Sequence, residues 1–75
     1  MVPAALRAGL TPEAAAMAGV RYHGLSADAV GEAALLEFGA AYGALREMGF
    51  GAAVVTGALR LANNKVDAAA NLCMQ

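Results

Sequence analysis

A chain of 75 residues with five Lys/Arg against six Asp/Glu, and a formal charge of −1, has room for one small domain or two very small ones and is too short for a large enzyme. One cysteine, Cys73, and one histidine, His23, exclude an internal disulfide and leave a single-chain zinc site without its usual ligands; a lone thiol fits a reducing compartment. No basic block is present, which argues against nucleic acid and anionic membranes as partners, so affinity is expected to come from apolar contact.

Apolar residues make up 60% of the chain, but 21 residues are alanine and neither Ile nor Trp occurs. Alanine is the best helix former and loses no side-chain entropy on burial, so an all-α fold with close helix contacts is expected. Six Val and two Thr give a sheet little to work with.

The first ten residues, MVPAALRAGL, lack the apolar stretch of a secretory signal. Thr11-Pro12-Glu13 puts a hydroxyl cap before a proline at the first helical position, with an acid behind it. A helix is therefore predicted to start there and run to about Tyr22, closed by His23-Gly24. Ser26 is the next cap, with Asp28 in the first turn, and no strong stop follows before Gly49. The reading is one helix over Ala27–Met48, about 22 residues and roughly 33 Å long. Its stripe of Val30, Ala34, Phe38, Ala41, Leu45 and Met48 has the three-and-four spacing of a buried face, and Leu35, Gly39 and Tyr42 form a second. This segment is apolar enough to raise a membrane span, and Gly39 and Gly43 have the spacing of a helix-contact pair. Asp28, Glu32, Glu37, Arg46 and Glu47 interrupt it, however, so the chain reads as soluble, or as a soluble piece of a longer one, without direct membrane insertion.

After Gly49-Phe50-Gly51 a short helix is predicted from about Ala53 to Ala62, with Val55, Ala58 and Leu59 inward, ended by Asn63-Asn64. The last helix starts with Asn64 as its cap and Asp67 in its first turn. Val66, Ala69 or Ala70, and Cys73 form its core face, while Asp67, Asn71 and Met74 share another. An internal echo links the halves at a shift of 40: Leu6-Arg7-Ala8-Gly9-Leu10 against the segment Leu45 to Phe50, and Ala18 against Ala58. That period is the size of a helical repeat.

Leu45-Arg-Glu-Met-Gly-Phe50, Ala58-Leu59, Asn63-Asn64-Lys65-Val66-Asp67-Ala68-Ala69 and Leu72-Cys73-Met74 resemble, in register, the ubiquitin-associated (UBA) family. The likeness covers residues 40 to 75. Two departures stand out: Cys73-Met74 occupies the place of a leucine pair, and Gly51-Ala52 that of a proline or serine turn. The amino half is similar in architecture to the overlapping UBA array in the ubiquitin-binding adaptor subunit of ESCRT-I. Together these imply two overlapping three-helix units, a degenerate one over residues 1–38 and a second over 27–75, sharing the long helix 27–48.

The resemblance also implies a function. Met48, Gly49 and Phe50 would form a loop that, with the end of the last helix, cradles the apolar patch of ubiquitin. Asn71 and Met74 are the outward residues of that helix, and methionine adapts well to a partner surface. The plainer reading of the loop is a helix-ending turn whose Phe50 plugs the core. Leu59 and Val66 are assigned to folding. Cys73 has no acid-base partner and reads as a small buried apolar residue, and His23 as a helix-end imidazole. No phosphate loop, nucleophile elbow or metal cluster is present, so no catalysis and no cofactor are expected. The expected role is an adaptor module binding ubiquitin or ubiquitinated proteins in the cytoplasm, at endosomes, with other ESCRT-I subunits as partners through a parent protein. The rival is a structural or protein-assembly domain without ubiquitin affinity. The amino unit carries Ala8 and Leu10 where the other has Met48 and Phe50. Its far edge, near Leu35 and Leu36, is expected to be taken up by packing between units.

Overall fold

A computed structural model describes all 75 residues, Met1–Gln75, and every regular element in it is helical. The order is α1 (Val2–Ala8), α2 (Pro12–Arg21), α3 (Ala27–Val30), α4 (Glu32–Glu47), α5 (Ala52–Leu61) and α6 (Val66–Cys73). No helix is long and apolar enough to cross a membrane. The molecule is elongated, 33 × 19 × 17 Å.

Local signals start the helices as expected where a cap is present. Thr11 Oγ1 accepts from the Ala14 amide at 3.2 Å, and Pro12 follows as the first helical residue. Ser26 Oγ accepts from the Ala29 amide at 3.1 Å. In each case the hydroxyl satisfies an amide that lacks a partner within the helix.

The single helix expected over 27–48 is two helices. Gly31 sits at φ 89°, ψ 150°, a region that is essentially closed to any residue with a Cβ. Its amide still donates to Ala27 O, and its carbonyl accepts from Leu35 N. The hydrogen-bond run therefore continues across a sharp change of direction, which leaves α3 as a single turn folded against α4.

α4 is the central element, packed against α1, α2, α3, α5 and α6, while α2 also lies against α1 and α5, and α5 against α6. One continuous core runs through both halves. Phe38, Leu45, Val55 and Leu59 are its largest fully buried side chains. Tyr22, Phe38 and Tyr42 meet as an aromatic row, with the first pair edge-on at 6.0 Å and the second tilted at 5.7 Å. Around them Ala5, Ala14, Ala15, Ala18, Ala41, Ala58 and Ala69 are buried, so short side chains let the helices approach closely. At Gly39 a Cβ would fall 2.7 Å from Leu10 Cγ, so this glycine seats the α1–α2 loop on α4. Gly43 has nothing near it, so only one glycine of the pair makes a close contact.

The echo at a shift of 40 has a geometric counterpart. Gly9 and Gly49 both end a helix with positive φ, 106° and 97°. α2 and α5 then begin at Pro12 and Ala52, and each runs ten residues.

α1 is the first helix that a three-helix amino-terminal unit requires; Met1 offers it no side-chain cap, and only Pro3 marks its start. Two further expectations change. Met48, placed on the buried stripe by its spacing, is exposed. Asn64 is not the cap of α6, a position held by Lys65. Asn64 is buried in a left-handed turn at φ 66°, where Asn is one of the few residues tolerated. Its Nδ2 donates to the Tyr22 hydroxyl at 2.6 Å, and its Oδ1 accepts from Arg21 Nε at 3.3 Å.

Candidate functional site

The Met48–Phe50 loop is built by the end of α4. The Met48 amide donates back to Ala44 O and Leu45 O, and the Gly49 amide to Arg46 O at 3.0 Å. The chain turns at Gly49 in the left-handed region, which frees it from α4 without a Cβ penalty. The two side chains then diverge in role. Phe50 is half-buried and packs against the core, whereas Met48 keeps 56% of its surface exposed.

A polar cluster fixes the backbone of this loop. Arg46 Nη1 donates to Phe50 O at 2.8 Å, and Arg46 Nε donates to Glu13 Oε1 at 2.7 Å. Glu13 Oε1 also accepts from the Tyr42 hydroxyl. An acid in the first turn of α2 thus holds an arginine of α4, which in turn holds the loop carbonyl. Ion pairing at the surface contributes little alone, but here one guanidinium is shared by a carboxylate and a carbonyl, which fixes its direction.

The charges of the cluster respond accordingly. Glu13 is held below its ordinary range, chiefly by the Tyr42 hydroxyl and then by Arg46. Burial, followed by the hydrogen bond to Glu13, pushes the Tyr42 phenol up to about 12. Arg46 is raised by Glu13, first through their hydrogen bond. The cluster is visible in the sequence only in part. Arg46 lies four residues before Phe50, but nothing local points to Glu13.

At the other candidate segment, Asn71 on α6 and Met74 just past its end are exposed, Met74 to 64%, and Cys73 is half-buried against the core. α6 packs on α4, so both candidate segments lie on helices in mutual contact. No cavity is lined by Met48, Gly49, Phe50, Asn71 or Met74. Leu72, exposed beside Asn71, was not singled out by spacing. Of the two residues assigned to folding, Leu59 is fully buried but Val66 lies at the surface. Val66, Asp67 and Ala68 are all exposed, and Ala69 carries the burial instead.

In the amino half, packing takes up only one of the two leucines expected to be occupied. Leu35 is buried, but Leu36 is exposed and lines a groove of about 310 Å³ with Gly9, Leu10, Thr11, Gly39 and Gly43. One helix step separates the two leucines, so the packing that covers Leu35 leaves Leu36 facing away. No group of three or more His, Cys, Asp or Glu side chains comes together to hold a metal.

Compared with protein-family models, with curated proteins and with solved structures, the chain finds no match.

Proposed function

We propose that the protein is a non-catalytic module that binds ubiquitin or ubiquitinated proteins through Met48, Gly49, Phe50, Asn71 and Met74. The observation that supports this reading best is the pairing of two exposed methionines with a fixed backbone. Met48 and Met74 are each more than half exposed, while Arg46 anchors the carbonyl of Phe50, two residues along from the first of them. A flexible thioether on a fixed turn adapts to an apolar partner at little ordering cost. The surface is small, so affinity is modest, below that of a stable interface burying about 1,200 Å² or more. In this reading the module belongs to a cytoplasmic adaptor that sorts ubiquitinated cargo at endosomes, with ESCRT-I subunits as partners of the parent protein.

The test is a titration of the isotope-labelled chain with monomeric ubiquitin, followed by amide shifts. Shifts clustered at Met48–Gly51 and Asn71–Met74 support the proposal, and an unchanged spectrum at millimolar ubiquitin refutes it. The rival, an assembly domain without ubiquitin affinity, draws on Val20, Val54 and Leu61, which are exposed large apolar residues outside the Met48–Phe50 loop.

A further inference from the structure

α2 and α5 pack side by side and leave between them a groove of about 300 Å³, lined by Met17, Val20 and Arg21 of α2 and by Ala53, Thr56, Gly57 and Arg60 of α5. It shares no residue with the methionine surface. Apart from the two arginines, its walls are apolar or already satisfied: Val20 is 58% exposed, and Thr56 Oγ1 is engaged with its own helix, donating to Ala52 O at 2.8 Å. Gly57 forms an open stretch of wall, since a Cβ there would meet nothing within 4 Å.

The groove carries charge of one sign. Arg21 and Arg60 line it and no acid does. The one ion pair in the protein joins Arg46 to Glu13, so neither groove arginine has a carboxylate partner. Arg21 is also held in place. Its guanidinium lies 4.4 Å over the Tyr22 ring, and its Nε donates to Asn64 Oδ1. These contacts use the ring face and one N–H, and leave the terminal nitrogens of the fork free. Ordering a long side chain is a large part of the cost of a surface charge contact, and here the fold has already met that cost. A guanidinium fork in fixed orientation suits a carboxylate, which it can grip with two parallel hydrogen bonds.

We propose that the α2–α5 groove is a second docking surface, for an acidic peptide segment of a partner protein that sets an apolar side chain against Val20, Ala53 and Gly57 and carboxylates on Arg21 and Arg60. The volume lies at the lower end of the range for ligand pockets, enough for a short segment rather than a folded surface. Two cations are too few for a nucleic-acid backbone, whose recognition rests on many phosphate contacts, and the apolar walls would gain nothing from it. The proposal does not depend on ubiquitin binding.

The experiment uses the isotope-labelled full chain and three synthetic peptides. The first has a central leucine flanked on each side by two glutamates, the second replaces the glutamates by lysines, and the third replaces the leucine by alanine. Inorganic phosphate is a fourth probe. At about 1 mM, the acidic leucine peptide is expected to shift the amides of Val20, Gly57 and Arg60, and the lysine peptide to leave them unmoved. The alanine peptide should bind at least about fivefold more weakly. Arg60→Glu, at an exposed and unpaired position, should weaken the acidic peptide about tenfold or more without unfolding the chain. Gly57→Leu fills the wall from open space and should abolish binding while keeping or raising thermal stability. Equal shifts from the acidic and lysine peptides, no shift from the acidic one, or phosphate reproducing its full pattern would each overturn the proposal, the last by revealing a general anion site.

Discussion

Asn64 is a tie between α2 and the α5–α6 turn, and its removal separates that role from the capping role suggested by its place before α6. As a cap it would be replaced by glycine at a cost of a few tenths of a kcal/mol. As a tie it leaves the buried Tyr22 hydroxyl oxygen without the 2.6 Å donor it has now, and an orphaned buried polar group costs about 1–3 kcal/mol. The longer bond to Arg21 Nε, at 3.3 Å, adds less. Asn64→Gly keeps access to the left-handed φ of 66°, whereas Asn64→Ala adds backbone strain of roughly 1 kcal/mol. The expected order of stability is parent, then glycine, then alanine. Urea or thermal unfolding followed by circular dichroism reads it out, at about 4–8 °C per kcal/mol for a chain of this size.

Glycine also changes the unfolded chain, so the decisive measurement is a double-mutant cycle with Tyr22→Phe. That variant removes the hydroxyl and leaves the aromatic row with Phe38 in place. The coupling energy between positions 22 and 64 should reach about 1 kcal/mol or more. If Asn64→Gly costs the same in both backgrounds to within roughly 0.3 kcal/mol, the tie carries no energy and the argument fails.

Leu59→Ala, at a fully buried position, should cost roughly 2–5 kcal/mol and unfold much of the population, while Val66→Ala at the surface should cost well under 1 kcal/mol in the same denaturation assay. On one helix, Gly43→Ala should stabilise by up to about 1 kcal/mol through helix propensity. Gly39→Ala should destabilise because its methyl would strike Leu10, and a Gly39→Ala protein as stable as Gly43→Ala would show that Leu10 yields freely. The Met48→Ala/Met74→Ala pair should keep the parent's melting temperature and lose most of its ubiquitin shifts; unchanged titration curves would remove this surface from the proposal. For pH, Glu13 is depressed in the fold, so its stabilisation is present above the unfolded carboxylate value, near pH 4.5, and fades as pH falls further. Tyr42 is raised to about 12, so its contribution is whole below pH 10 and is lost as pH climbs toward 12, and Tyr42→Phe should flatten the alkaline limb of a melting-temperature profile.

Sequence reading succeeded where the determinant is local. Thr11-Pro12 starts α2 and Gly49 ends α4 because a cap or a left-handed turn acts on its own neighbours. It failed where the determinant lies across the fold. Gly31, Gly39 and Gly43 look alike in the sequence, yet one breaks the helix, one admits Leu10 and one is open. Local propensity weakens a helix at each of them by a similar amount and cannot say which will bend. Asn64 has the composition and place of a cap, but Tyr22, 42 residues away, takes its carboxamide. The Met48 and Met74 exposures divide in the same way: helix phase places Met74 outward, but places Met48 on the buried stripe because the stripe is followed beyond Leu45 to the residue just past the end of α4.

Both long-range polar ties pass through α2. At its first turn Glu13 holds Arg46, and with it the carbonyl of Phe50. At its last turn Arg21, with the adjoining Tyr22, holds Asn64 in the turn that leads into α6. The helix from the amino half therefore braces the approaches to both segments assigned to ubiquitin, even though none of its own residues belongs to that surface. A core of alanines has few interlocking side chains to resist sliding between helices, and without a disulfide or metal it needs another source of register. Directional hydrogen bonds at the two ends of one helix supply it, since each fixes an angle as well as a distance. The amino-terminal half is therefore more than added apolar area: by fixing α2 at both ends it sets the geometry of the carboxyl-terminal loop and turn.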